Sequence, residues 1–160
     1  MSTVSLDKDE FKIHFVALFS EKVDAVPVAL FHGWPGSFLE FLPILTLMKQ
    51  KYAPATLPYH LIVPSLPGYA FSDTPPLGRD FAAKDVAALM NQLLLDLGFG
   101  TGYIAQGGDI GSRVAKILGK GFDACKGTFV PHFFHLSFPF PKSCKKERGR
   151  LTKGIWQPCT

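Results

Sequence analysis

The run Tyr103-Ile104-Ala105-Gln106-Gly107-Gly108-Asp109-Ile110-Gly111-Ser112 constrains this chain more than any other stretch, because an apolar strand meets paired glycines, one carboxylate and the small residues that open a helix. A strand-to-helix elbow that presents its central side chain needs small neighbours at minus two, plus two and plus three. Gly107, Gly111 and Ser112 occupy those places, and Gly108 adds a second glycine to the turn. The presented residue is Asp109. A carboxylate attacking an acyl group would form a labile anhydride, whereas attack on a polarised sp3 carbon, as in an epoxide or alkyl halide, forms a true ester that water can hydrolyse.

A second loop stands where the same chemistry needs help. Val26 to Phe31 is a short apolar run of the kind a buried parallel strand shows, and it delivers His32-Gly33-Trp34-Pro35-Gly36-Ser37 ahead of an amphipathic segment spanning Phe38 to Gln50. Open α/β sheets bind ligands at the carboxyl ends of their strands, and a Gly-rich loop there can turn backbone N–H groups toward developing negative charge. The amide of Trp34 is the candidate donor, and His32 reads as a loop-bracing imidazole. A strand over Tyr59 to Val63 leads into Pro64 to Asp73, too rich in Pro and Gly to continue it, where Phe71 is placed to line an apolar pocket.

The remaining elements follow by pattern. Phe11 to Phe19 reads as one strand with His14 on its polar face, Asp80 to Leu97 as a helix capped by Asp80 and stopped by Gly98, and Gly102 to Gln106 as the strand before the elbow. The helix behind the elbow covers Gly111 to Gly119, and Gly127 to Val130 is a last strand. Residues 1–10 read as a disordered amino terminus, 11–137 as the folded core and 138–160 as a basic, irregular tail. His14, His60, His132 and His135 all read as structural.

Charge and cysteine usage exclude several classes. The formal net charge of +4 is a property of the tail: residues 1–137 carry 11 Lys+Arg against 12 Asp+Glu, and residues 138–160 carry six against Glu147. No aromatic interleaving of the basic residues points to nucleic acid. Cys125, Cys144 and Cys159 have no metal-ligand spacing and cannot all pair, which fits a reducing, cytoplasmic address and no metal or other cofactor. The amino terminus lacks the apolar core of a signal peptide, and no run approaches the ~18 apolar residues of a membrane helix.

Three motifs in order carry a resemblance. His32-Gly33-Trp34-Pro35, Gly68-Tyr69-Ala70-Phe71-Ser72 and Gly107-Gly108-Asp109-Ile110-Gly111-Ser112 are similar to the H-G-x-P, G-x-small-x-Ser/Thr and nucleophile motifs of the epoxide hydrolases. The chain resembles that family, closest to its microsomal-type branch with soluble fungal enzymes, over roughly residues 11–136. The resemblance implies a partial α/β-hydrolase fold, a mostly parallel sheet with flanking helices that lacks the cap domain and carboxyl-terminal strands. It further implies a small-molecule epoxide as substrate, Asp109 as nucleophile, an oxyanion hole of the Trp34 and Ile110 N–H groups, and a cis peptide before Pro35.

In that family the acid and the catalytic histidine come after later strands, and cap tyrosines protonate the leaving oxygen. Only 51 residues follow Asp109, His132 and His135 lie where a cap would begin, and Tyr59, Tyr69 and Tyr103 do not match the cap tyrosines. The chain therefore reads as the first half of an enzyme with a foreign ending, weakly active or inactive alone. Two further readings stand beside it: a dehalogenase-like hydrolase using the same aspartate, and a non-catalytic partner. A sheet stopped after its sixth strand would expose an apolar parallel edge and call for a complementing subunit.

Overall fold

The chain, seen in a computed structural model that describes residues 1–130, is built on a five-stranded sheet of order β3-β5-β4-β6-β7. Its strands are β3 (Phe15–Leu18), β4 (Val26–Phe31), β5 (Tyr59–Pro64), β6 (Tyr103–Gly107) and β7 (Cys125–Phe129). β3 runs antiparallel to β5, and the other pairings are parallel. The registers Val28↔Ile104 and Phe31↔Gly107 bring the ends of β4 and β6 level, so their following loops emerge side by side. That adjacency builds the candidate site.

Three α-helices connect the strands: α1 (Leu42–Lys51), α2 (Ala83–Asp96) and α3 (Asp109–Gly121). One sheet face packs on α2 and α3 through Phe31, Ile62, Ala105, Leu89, Leu93, Val114 and Leu118, all essentially inaccessible to water. The opposite face packs on α1 through a smaller cluster of Leu30, Leu45, Leu61 and Val63. β4 and β5 are thus covered on both faces, which is why they read as continuous apolar runs.

The start of the chain differs from the disordered segment expected for residues 1–10. β1 (Ser2–Leu6) and β2 (Asp9–Ile13) form an antiparallel hairpin, and Val4, Phe11 and Ile13 join the main core while β1 packs on α2. Alternating side chains let a polar-looking strand bury one face, and Asp7 at φ 56 makes the tight turn. Asp9 anchors the hairpin outward through a two-pronged pairing with Arg79, at 2.8 and 3.2 Å. The sheet expected to stop after a sixth strand has five strands among the described residues, because β1 and β2 pair apart from it.

Other boundaries move for local reasons. The single strand expected over Phe11 to Phe19 breaks at His14, whose N–H is diverted to Ser72 Oγ, while its carbonyl accepts from Ser65 N–H one step beyond the Phe15↔Pro64 pair of β3 and β5. Phe38–Phe41 is a 3-10 turn capped by Ser37, and α1 follows with Pro43 in its first turn, where a missing N–H costs nothing. α2 begins at Ala83, not at an Asp80 cap, because the Asp85 carboxylate reaches back to the Ala82 N–H at 2.8 Å. The basic tail lies outside the described residues, as do His132 and His135.

A buried polar pair ties α2 to β6. Tyr103, 1% exposed, donates its hydroxyl to Asn91 Oδ1 at 2.8 Å, and burial raises the phenol pKa. Tyr103→Phe should leave the Asn91 oxygen unsatisfied and lower unfolding free energy by about 1–3 kcal/mol, measured by urea denaturation against wild type.

Candidate active site

Asp109 occupies the first position of α3, directly after β6 and Gly108, at φ +46. A non-glycine residue in that region is uncommon and strained, and here the strain is held by packing on both sides of the turn. A Cβ on Gly107 would run into the Gly111 carbonyl, and one on Gly111 would run into the carbonyl oxygens of Phe31 and His32. β6, α3 and the end of β4 can approach this closely only with glycine at both places.

The same closeness explains Gly33. A Cβ there would come within 2.7 Å of Asp109 Cβ and 3.0 Å of Asp109 Oδ2. With glycine in place, the next residue's amide reaches the carboxylate: Trp34 N–H donates to Asp109 Oδ2 at 2.8 Å. The Trp34–Pro35 peptide is cis. Amide donation from Trp34, then from Ile110, holds the Asp109 carboxyl below its ordinary value of 3.8, with a smaller push from Arg113 one helical turn along, against a partial opposing effect of desolvation. Asp109 is therefore an ionised, exposed carboxylate with two backbone donors aimed at it. Its own carbonyl accepts from Ser112 Oγ at 2.6 Å, which stabilises the first turn of α3.

His32 is completely buried, and both its ring nitrogens are engaged. Nε2 accepts from Leu66 N–H at 3.0 Å, so Nδ1 carries the proton and donates to Gly33 O at 3.2 Å. The ring also meets Tyr69 edge-on at 4.9 Å. It links the loop after β4 to the loop after β5 and has no nitrogen left to activate water. Pro35 lies exposed beyond Trp34, whose indole is 69% exposed at the rim. Phe71, 63% exposed, rests against Phe38 and His14 at 6.1 and 5.1 Å between ring centres.

The other histidines divide by sheet edge. His60 lies at the far end of β5, paired with Pro27 four residues before Phe31, roughly 13 Å down the strand from the Asp109 edge. Its Nδ1 accepts from Ser20 N–H at 3.1 Å, and burial lowers its pKa. His14 stands at the Asp109 edge, beside Pro64, with Nδ1 bonded to Ser65 Oγ at 2.9 Å. Burial, then the positive amino terminus, lowers its pKa. Among the described residues no group of three His, Cys, Asp or Glu side chains could hold a metal ion. Nor is any helix there long and apolar enough to cross a membrane.

Comparison with known proteins gives the family and the fold. The family profile described as "alpha/beta hydrolase fold" matches residues 26–118, and that described as "Epoxide hydrolase N terminus" matches residues 1–41. The chain belongs to the α/β-hydrolase fold family, in its epoxide hydrolase branch. A protein of Dothistroma septosporum named "Putative epoxide hydrolase" is 49% identical over 141 residues, which cover 86% of this chain and 32% of that protein. The Aspergillus niger epoxide hydrolase structure is 60% identical, with a TM-score of 0.76 over 80% of this chain and 33% of that one. The silkworm (Bombyx mori) juvenile hormone epoxide hydrolase structure is 32% identical, with a TM-score of 0.66 over 75% of this chain and 32% of that one. The chain spans about a third of the length of these relatives.

Within this family member, the motif reading left out the residues behind the site. Ser65, Ser72 and the Leu66 amide connect His14 to His32, yet they lie on either side of a proline-glycine loop and show no spacing that links them to a histidine 51 residues earlier. Only the side-by-side delivery of β3, β5 and β4 does so. The elbow's dependence on glycine is testable. Gly111→Ala should cost about 3 kcal/mol or more, because its Cβ meets backbone that cannot rotate away, whereas Gly108→Ala, with nothing within 4 Å of its Cβ, should cost far less. Thermal melts of the two variants decide this.

Proposed function

We propose that this chain carries the nucleophilic portion of an epoxide hydrolase, with Asp109 forming an alkyl-enzyme ester from a small-molecule epoxide. The observation that carries the reading is the 2.8 Å bond from Trp34 N–H to Asp109 Oδ2. That bond distinguishes the two carboxylate oxygens. Oδ2 is the oxygen held by the backbone, and Oδ1 is the nucleophile. Backside attack by Oδ1 on a ring carbon forms the new C–O bond and breaks the old one, and the electron pair stays on the departing oxygen, which takes a proton.

The carbonyl of the resulting ester is the former Oδ2, still on the Trp34 amide, with the Ile110 amide also directed at the carboxyl group. When water adds to Cγ, the negative charge develops on that same oxygen, where preorganised donors are worth most. Collapse releases the diol and leaves the water oxygen in the Asp109 carboxylate. An ionised Asp109 also suits the first step, since the protonated acid is a poor nucleophile.

We place the proton donor for the departing oxygen and the base for the second step outside the described residues: His32 has both nitrogens engaged, His60 lies at the far edge, and His14 precedes β3, with β5 and β4 between it and the strand that carries Asp109. We assign those roles to polypeptide beyond residue 130 or to a complementing subunit, consistent with a chain a third the length of its relatives. Where those groups are missing, the site reacts once and holds the ester. A cytoplasmic location fits the cysteine usage and the buried thiol of Cys125.

Incubation with styrene oxide followed by peptide mass spectrometry should find the mass of one epoxide added to the Asp109 peptide and none in Asp109→Asn; an unmodified wild-type peptide would defeat the reading. The pH dependence follows from the depressed carboxyl. The alkylation rate should stay level through the neutral range and fall only in acid below 3.8, as the carboxylate protonates. Any stability that Asp109 contributes has the same sign: present above its unfolded-state value and lost as pH falls through the folded one.

A further inference from the structure

We infer that His14 is a positioning residue for the Asp109 carboxylate, acting through the two loops that its ring and backbone hold together; the inference rests on the proposed alkylation of Asp109. His14 fills the break between β2 and β3. Its N–H donates to Ser72 Oγ at 3.0 Å, its carbonyl accepts from Ser65 N–H at 2.8 Å, and Nδ1 bonds Ser65 Oγ at 2.9 Å. Ser72 Oγ closes the ring by donating to Ser65 O at 2.8 Å. One residue thus grips both ends of the loop after β5.

The imidazole also reaches the loop after β4. It meets Phe38 at 4.7 Å and 65°, and Phe71 at 5.1 Å and 72°, edge-on to both. Phe38 follows the cap residue Ser37 directly and ends the loop that begins at His32. From Ser65 the path continues without a gap. The next amide, Leu66 N–H, donates to His32 Nε2, His32 Nδ1–H donates to Gly33 O, and the next amide after Gly33 is the Trp34 N–H on Asp109 Oδ2.

Packing alone does not require histidine here. A phenyl ring would fill the same space between Phe38 and Phe71, but it would leave Ser65 Oγ without its partner and loosen the loop that sets His32. A donor aimed at a reacting group must be held to about 0.5 Å to be effective, so slack at Ser65 should appear at Trp34.

The test uses the full 160-residue chain with His14→Ala, His14→Phe and His14→Asn, the last offering an amide near the Nδ1 position. Two readouts are taken: the Asp109 alkylation rate against styrene oxide concentration, and the Trp34 backbone amide resonance, with a thermal melt to show which variants fold. His14→Ala and His14→Phe should cut the maximal alkylation rate roughly tenfold while changing the half-saturating concentration less than about twofold, and His14→Asn should restore most of the rate. The Trp34 amide should move in the first two and return in the third. A wild-type rate in His14→Phe, or an unmoved Trp34 amide in a folded His14→Ala or His14→Phe, overturns the inference. If wild-type Asp109 is never alkylated, the functional reading fails by itself, and the Trp34 amide still decides the role of His14.

Discussion

One backbone amide meeting one carboxylate, Trp34 N–H on Asp109 Oδ2, is the contact around which this molecule is arranged. It joins the end of β4 to the start of α3, and it forms only because both backbones come closer than any side chain would allow. Gly33, Gly107 and Gly111 provide that closeness. A parallel pairing of β4 with β6, level at Phe31 and Gly107, sets the two loops at the same height. The strained φ of Asp109 is thereby over-determined by its surroundings, the condition under which strain persists in a folded chain.

The rest of the fold serves that contact at increasing distance. β5, on the other side of β4, delivers the loop whose Leu66 amide fixes the His32 ring, and His32 in turn holds Gly33. β3 and His14 stand one strand further out. Each link is a hydrogen bond between buried or half-buried groups, where leaving a partner unpaired costs more than making the bond returns. The α2–α3 layer and the β1–β2 hairpin make the main core under the elbow, so the strained turn rests on packed side chains.

The elements were largely legible in the sequence because burial on both faces leaves continuous apolar runs, seen for β4 and β5, and because helical spacing is visible in α2. Boundaries were less so. His14 interrupts an apolar stretch that looks continuous, since the serines that capture its backbone arrive from residues 65 and 72. The hairpin at residues 2–13 was hidden because its strands are short and half polar, and Val4 shows its burial only once α2 is in place.

The candidate site divides along the same line. Asp109, its flanking glycines and the His32-to-Pro35 loop are local motifs, so the sequence by itself determined which residues would form an elbow and that its centre would be an acid. Which oxygen of that acid is held, which nitrogen of His32 bears a proton, and the linkage of His14 to Trp34 through Ser65 and Leu66 were decided only by the tertiary structure. The physical reason is range. Turn chemistry is written in neighbouring residues, whereas these bonds join groups 34 to 75 positions apart that meet only when the strands are set side by side.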